Sequence, residues 1–470
     1  MLLALACTSA GADTERDSDA RDEVLPEGFI SHGAVACDDA VALGWTLSDQ
    51  GFTAGPEGDH ERESGALVHD LDGDGDRDLM VSFFQPGNAP QIDVYLWDEG
   101  FVPSPSLMGA GGFTLVDLDA DGVLEVVYTT PNTVWDEGTT TTLDLGLQGV
   151  RDMAWMDVDL DGLPDLLVGT PDGAKERVYR NTGSDFEPWF TLDGANAFDL
   201  VVFDPDLDGD DDLYIANDRG LEYGGNRLWT REGVSLLDLG SDAGVVVDGM
   251  SAAPGDMDND GDEDLLLGNA SANQILENLG GGWVDVTAAR TADPLTGVPD
   301  MSWNAVWLDA DNDGWLDQLV ARGDVLPDEP FDGTLVVMLQ DPEDGTFSAQ
   351  HMGSGSYRGV VPFDFNGDGV LDWLATDAVQ APELWVSNGC TGNGWLTVEA
   401  PIGARVTVES PTLTQTRVVR SDSGQGSART PEAHLGLGDA ATVNLRIELP
   451  DGRTVQGSDL RPRQRLTYSE

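Results

Sequence analysis

The sequence predicts an all-β protein, a seven-bladed β-propeller followed by a small C-terminal β-domain. Three observations carry that prediction. An acidic nine-residue pattern recurs seven times, apolar runs of strand length flank the copies, and the recurrence stops near residue 390, where the character of the chain changes. A chain of 470 residues with 40% hydrophobic content and 58 glycines has ample material for a buried core, so a disordered acidic polymer is not expected.

The pattern is Asp-x-Asp-x-Asp-Gly-x-x-Asp. The first copy holds Asp70, Asp72, Asp74, Asp76 and Asp78, and the second Asp117, Asp119, Asp121 and Glu125. Asp157, Asp159, Asp161 and Asp165 form the third; Asp204, Asp206, Asp208 and Asp212 the fourth; Asp256, Asp258, Asp260 and Asp264 the fifth. Asp309, Asp311, Asp313 and Asp317 form the sixth, and Asp364, Asn366, Asp368 and Asp372 the seventh. Successive copies start 47, 40, 47, 52, 53 and 55 residues apart, a period that suits four short strands and their turns.

Each unit reads as strand, acidic loop and three further strands. Runs such as Phe113-Thr114-Leu115-Val116 and Ala305-Val306-Trp307-Leu308 precede the loops, and Leu166-Leu167-Val168 and Leu213-Tyr214-Ile215-Ala216 follow them, with turn residues at the boundaries. Third strands are expected at Ile92–Trp97, Arg177–Arg180, Asn226–Trp229 and Glu383–Val386, and a fourth at Trp283–Thr287. Seven such sheets close into a ring in which neighbours bury each other's faces and only short edges remain.

The seventh unit lacks a local fourth strand, because Trp385-Val386-Ser387-Asn388-Gly389 runs into Cys390. The unassigned stretch Val41–Leu47, ahead of the first loop, is the expected substitute, and Cys37 lies just before it. Of three cysteines, Cys7 sits in a lipidation context, so a Cys37–Cys390 disulfide in an oxidising compartment is expected. Two reduced cysteines are the alternative.

Carboxylates at positions 1, 3, 5 and 9 of a tight loop converge, which is unfavourable without a cation, since like charges about 4 Å apart repel by about 1 kcal/mol even in water. Calcium fits the donor set: it takes six to eight oxygen ligands in a flexible geometry. Magnesium wants a stricter octahedron, and the lack of His and Cys argues against zinc and copper. Glu125 and the neutral Asn366 mark the second and seventh loops as weaker. An EF-hand would need flanking helices and a glutamate at position twelve, where Val81, Val168 and Leu267 stand instead. About seven Ca2+ ions are therefore expected.

The 87 acidic against 23 basic residues, with Lys175 the only lysine, give a net charge of −64. Nucleic acid is excluded as a partner, because binding it needs Lys and Arg to neutralise phosphates. Even seven calcium ions leave the surface acidic, which favours solubility and suits a saline habitat. Met1–Cys7 looks like the last part of a bacterial lipoprotein signal, with Cys7 the lipidated residue. The acidic stretch 8–36 is expected to be a flexible tether, and the boundaries are then 1–7 signal segment, 8–36 tether, 37–391 propeller and 392–470 C-terminal domain. Contact with a membrane is expected only through the lipid anchor, and the location is extracytoplasmic: an outer-surface or periplasm-facing lipoprotein, or a secreted protein.

The loops and their flanks resemble FG-GAP/VCBS-type repeats, the propeller units of integrin α-subunits, which implies calcium in the loops. Residues 392–470 resemble the ASPIC/UnbV domain that follows such propellers in cartilage acidic protein and its bacterial relatives. The resemblance rests on Asn393-Gly394-Trp395-Leu396, Gly403-Ala404-Arg405-Val406, His434-Leu435-Gly436-Leu437-Gly438 and Leu449-Pro450-Asp451-Gly452-Arg453. Glu448-Leu449-Pro450 departs from the usual Trp-Pro. Arginines 405, 417, 420, 429, 446, 453, 461, 463 and 465 concentrate basic charge there, so the domain is expected to dock on the acidic ring.

No catalytic constellation stands out. The histidines (32, 60, 69, 351 and 434) are scattered and read as single surface or turn residues; there is no Gly-x-Ser-x-Gly elbow and no P-loop. The expected function is calcium-dependent binding of a protein or glycan without turnover. The rival is a polysaccharide lyase or hydrolase using the propeller channel. Most tryptophans read as blade core, with Trp315 the most exposed candidate for sugar stacking.

Overall fold

The computed structural model describes residues 23–37, 40–52, 65–83, 90–136, 139–147, 149–171, 173–193, 196–240, 248–280, 282–291, 301–324, 333–378 and 380–469. Seven four-stranded antiparallel units follow one another, and each acidic loop joins the first two strands of its unit. The first unit comprises Ala66–His69, Asp78–Phe83, Gln91–Trp97 and Phe101–Met108. The innermost strands of the next five are Ala110–Val116, Asp152–Met156, Ala197–Phe203, Gly249–Gly255 and Met301–Leu308. The seventh has Tyr357–Phe363, Asp372–Asp377 and Glu383–Ser387, and its fourth strand is Trp45–Ser48 from the start of the chain.

Packing explains the sequence pattern. Strands after the acidic loops are continuous apolar runs because each sheet lies between two others; Leu213, Tyr214, Ile215 and Ala216 are wholly inaccessible to solvent. Every pair of neighbouring sheets shares one apolar cluster. The last pair closes the circle: Val68, Leu79, Val81 and Tyr95 of the first sheet meet Val361, Phe363, Leu374 and Leu384 of the seventh. Innermost strands likewise pack in turn from the first unit round to the seventh and back. Outer strands face water, as at Met108 and Leu237.

The seam forms where the missing strand placed it. Trp45 pairs with Ser387 and Leu47 with Trp385. The Trp45 ring lies 4.6 Å from that of Trp373 and its Nε1–H donates to the Leu371 carbonyl at 2.9 Å. Cys37 and Cys390 are joined by a disulfide. The strand begins at Trp45, whereas Val41–Gly44 lies outside it.

The C-terminal region is two further sheets around a core that includes Leu396, Val398, Val406, Val408, Leu435, Ile447 and Leu466. One sheet contains Gly394–Glu399, Ala428–Gly438 and Gln464–Tyr468, and it continues into the propeller, since Leu67 and Val68 pair in parallel with Ala428 and Arg429. The expected tether 8–36 is corrected over residues 23–36, its first part lying outside the described residues. Phe29–Ala34 forms a strand on Gln464–Tyr468, and Val24 bridges Ser458. The cause is apolar: Phe29 is buried in the C-terminal core with its ring 5.2 Å from Tyr468. Cys7 lies outside the described residues.

The hairpin that links Arg420–Asp422 to Ala428 enters the ring axis. Its Gly426 carbonyl accepts from Phe113 N–H, and Ser427 Oγ from Ala66 N–H. Ser421 Oγ–H donates to Leu115 O, Arg420 to Val202 O and Ser423 Oγ–H to Val360 O, while Asn304 Nδ2–H donates to Ser423 O. These partners lie on the innermost strands of the first, second, fourth, sixth and seventh units. The C-terminal domain thus plugs the channel.

Candidate metal centres

The acidic loops share one backbone design. At position 1 a carboxylate accepts N–H groups of its own loop: Asp117 takes Asp121 N–H at 3.0 Å and Gly122 N–H at 2.9 Å, and Asp157 takes Asp161 and Gly162 at 3.1 and 2.9 Å. At position 9 the carboxylate staples the loop to the sheet. Asp165 accepts Val158 N–H at 3.0 Å and, from the third strand, Asn181 N–H at 2.8 Å. Asp78, Asp212, Asp264, Asp317 and Asp372 likewise accept third-strand N–H groups from Trp97, Arg231, Asn278, Gln340 and Ser387. In the second loop Glu125 accepts Leu118 N–H at 2.8 Å. Position 9 is therefore structural as well as a candidate ligand, a role that spacing alone did not reveal.

Two positions per loop are left-handed. The glycine at position 6 is one, from Gly369 at φ 80° to Gly261 at 103°. Position 4 is the other, and sequence reasoning passed over it: Gly73, Ala120, Leu160, Leu207, Asn259, Asn312 and Gly367 all have φ between 55° and 80°. Gly or Asn in four of the seven copies was the available signal, because these residues tolerate that region best.

The folded loops gather the carboxylates that spacing selected. Ligand oxygens of Asp70, Asp72 and Asp78 lie within 4.8 Å of one another, as do those of Asp157, Asp159 and Asp165. The same holds for Asp117, Asp119 and Asp121, for Asp204, Asp206 and Asp208, and for Asp256, Asp258 and Asp260. In the sixth loop Asp309 accepts Asp313 and Gly314 N–H, and Asp311 also accepts Asp313 N–H. Asp364 accepts Gly367 and Gly369 N–H in the seventh, where Asn366 Oδ1 takes Asp368 N–H at 2.9 Å. Asp74 accepts Asp76 N–H, and Asp76 itself is exposed at the tip.

Several of these carboxylates are held above their ordinary range by burial and by one another, a cost that a cation would relieve. Burial, followed by the charges of its own loop, pushes Asp264 up to about 8 and Asp262 up to about 7. Burial likewise raises Asp78, Asp165 and Asp212 to about 6 against their backbone donors. Asp309 is pushed to about 8 by burial and by Asp313 and Asp311. Asp204 Oδ1 and Asp262 Oδ1 are buried with no hydrogen-bond partner, an arrangement that is costly unless an ion supplies one. An all-oxygen donor set with these orphaned atoms fits calcium.

The C-terminal domain covers part of this face. Arg417 reaches Asp256 O, Asn259 Oδ1 and Gly314 O, and Arg405 reaches Gly261 O. Arg420 pairs with Glu263 at 2.5 Å. Gly436 N–H donates to Asp309 at 2.9 Å, and Trp395 lies over Gly369. Arg77 lies 3.3 Å from Glu399 and 3.4 Å from Glu432, both of which also pair with Arg465. Of the arginines expected to dock on the acidic ring, Arg420 does so through an ion pair and Arg405 and Arg417 through carbonyl and amide oxygens. Arg446 and Arg453 instead pair within their own domain, and the Arg77 pairs have the reverse polarity. His434 is corrected from a surface or turn residue: it is buried, with Nε2 2.7 Å from Asn312 Oδ1 and Nδ1 3.0 Å from Thr397 Oγ1, and burial pushes it down to about 3. Trp315 is half-buried, whereas Trp189 is 37% exposed.

Residues 398–470 match the ASPIC and UnbV family, and residues 256–320 an FG-GAP-like repeat. The chain is similar to cartilage acidic protein 1 of Mus musculus, at 23% identity over 463 residues that cover 84% of this chain and 71% of the relative. The Homo sapiens protein of that name is 23% identical over 460 residues, 83% of this chain and 69% of the relative. A solved lectin of Agrocybe aegerita, described as recognising non-reducing terminal N-acetylglucosamine, is similar over 62% of this chain and 80% of its own, with 16% identity and a TM-score of 0.39.

Proposed function

We propose that this propeller, with its FG-GAP-like repeat and ASPIC/UnbV region, is a calcium-stabilised recognition module that binds a protein or glycan outside the cytoplasm without turning it over. The observation that carries the reading is the repeated convergence of carboxylate oxygens within 4.8 Å in successive loops. Bound calcium would neutralise these charges and cross-link loop to sheet. The chain's own residues set the frame: position 9 holds the loop to the third strand, and the left-handed positions 4 and 6 turn the remaining carboxylates inward.

The hairpin on the axis weighs against the rival lyase or hydrolase reading, because residues 420–427 hydrogen-bond the innermost strands of five units where a channel substrate would have to lie. A disulfide suits an oxidising compartment, and the similarity to cartilage acidic protein 1 supports a place outside the cell. Among the described residues no helix is long and apolar enough to cross a membrane. Lipid attachment through Cys7 belongs to the same proposal.

The test is titration calorimetry with calcium, followed by a glycan and protein array with and without the ion. Uptake of several ions and calcium-dependent capture of a ligand that is recovered unchanged are expected. No uptake, or cleavage of an acidic polysaccharide from a panel, would overturn the reading.

A further inference from the structure

The loops differ in what stands beside them on the third strand. In six sheets one third-strand N–H donates to the position-9 carboxylate, which fixes the register between them. The residue just before that donor is Leu96, Arg180, Thr230, Glu277, Leu339 or Val386. Only the third unit places a cation there. Arg180 forms an ion pair with Asp159 and stands 3.6 Å from Asp161, so its guanidinium sits against the carboxylates at positions 3 and 5. Its charge centre also lies 6.0 Å from the Trp189 ring, a contact of cation–π type.

The fifth loop is the contrast. Arg290 approaches Asp258 at 3.7 Å, but it is held at 3.2 Å by Glu277, the residue equivalent to Arg180. That pair brings no net positive charge to its loop, and Asp262 adds a further carboxylate. We propose that Arg180 is a tethered counter-ion for the third loop: it takes the place of a divalent ion when none is bound and makes this loop harder to fill than its carboxylates alone would. The inference deepens the calcium reading and rests on it. An ion entering the third loop must displace a guanidinium that is already paired with the carboxylates at positions 3 and 5, a competition that the residue at the same register does not set in the other five of these six sheets.

Terbium, whose emission is sensitised by a nearby indole, is the probe. Titrated into the full chain, Arg180→Met should fill the third loop at roughly tenfold lower terbium concentration, the scale of removing one unit charge about 4 Å away. The gained emission should fall in Arg180→Met with Trp189→Phe and vanish when Trp155→Phe is added, since Trp155 stands two residues before Asp157, which assigns it to this loop. Arg180→Lys keeps the charge and should titrate like the unsubstituted protein. Superimposable curves for Arg180→Met and the unsubstituted chain would overturn the proposal. So would an equal shift in Arg180→Lys, which would mean that packing on Trp189 and not charge is responsible. Absence of terbium binding in every chain would overturn the calcium reading together with this one.

Discussion

Opening the Cys37–Cys390 bridge tests whether the ring is closed by joining the two ends of the propeller. The cysteines are 353 residues apart in sequence, so the cross-link restrains nearly the whole propeller in the unfolded chain. The chain-entropy relation gives about 6 kcal/mol for a loop of that length, an upper figure because residual structure already restrains the unfolded state. Unfolding entropy of about 2.1 cal/mol/K per residue amounts to about 1 kcal/mol/K for the whole chain, so Tm should fall by up to about 6 °C. The native fold should survive, because Trp45–Ser48 still pairs with Leu384–Ser387 and the Trp45 indole still caps Leu371. The assay is calorimetry of the Cys37→Ser, Cys390→Ser double variant against the oxidised parent in calcium, with circular dichroism for the folded baseline. A Tm unchanged to within about 1 °C would refute the loop argument, and a lost β-sheet spectrum would refute the claim that the strand pairing alone holds the seam.

Three further outcomes are expected. In chelator, stability should fall as pH rises from about 4 to about 8, because carboxylates such as Asp78, Asp372 and Asp264, raised to about 6, 7 and 8, bind protons more tightly folded than unfolded and that contribution is lost as pH passes through the folded values; saturating calcium should flatten the slope, and thermal melts across the pH series check it. Arg420→Met leaves Glu263 buried without its ion-pair partner and should cost about 3–5 kcal/mol in denaturant unfolding, with recovery when Glu263→Leu is added. Leu160→Gly and Leu207→Gly should each stabilise the protein by about 1 kcal/mol or slightly more, since both leucines are left-handed at φ 63° and 58° and exposed, and urea midpoints that fall would show that these side chains are packed.

Much of the fold was legible because a propeller writes itself into sequence as a period. The acidic loops set the phase, the apolar runs after them mark strands buried on both faces, and the missing fourth strand of the last unit pointed to the segment at Trp45. The oxygen-only donor set was legible for the same reason. The C-terminal hairpin was not: Arg420–Ala428 is a short, glycine-containing stretch whose partners lie 63 to 361 residues away on five innermost strands, and no local pattern encodes that insertion. His434 was misjudged on the same ground, since its burial comes from Asn312 on the sixth loop and not from its neighbours in sequence. The strand at Phe29–Ala34 was hidden by the acidic composition around it, although Phe29 itself supplies the apolar contact.

The loops that look alike in sequence are made unequal by the one element that does not repeat. A domain seated on one part of a ring must break its symmetry, and position 4 records where it sits. This position has to be left-handed in every loop, which favours Gly or Asn. In the fifth and sixth loops it is Asn259 and Asn312, whose amides donate to Gly314 O and Gly369 O while their oxygens meet Arg417 and His434. There the backbone requirement and the docking contact are met by one side chain. In the third and fourth loops, where such contacts with the C-terminal domain are not seen among the described residues, the position holds Leu160 and Leu207 despite the backbone cost. Strain at those two tips is thus separable from ion binding: replacing either leucine by glycine should raise stability in calcium and in chelator alike, whereas a substitution at position 1 or 3 should cost more in calcium than in chelator, where only the loop's own hydrogen bonds are lost.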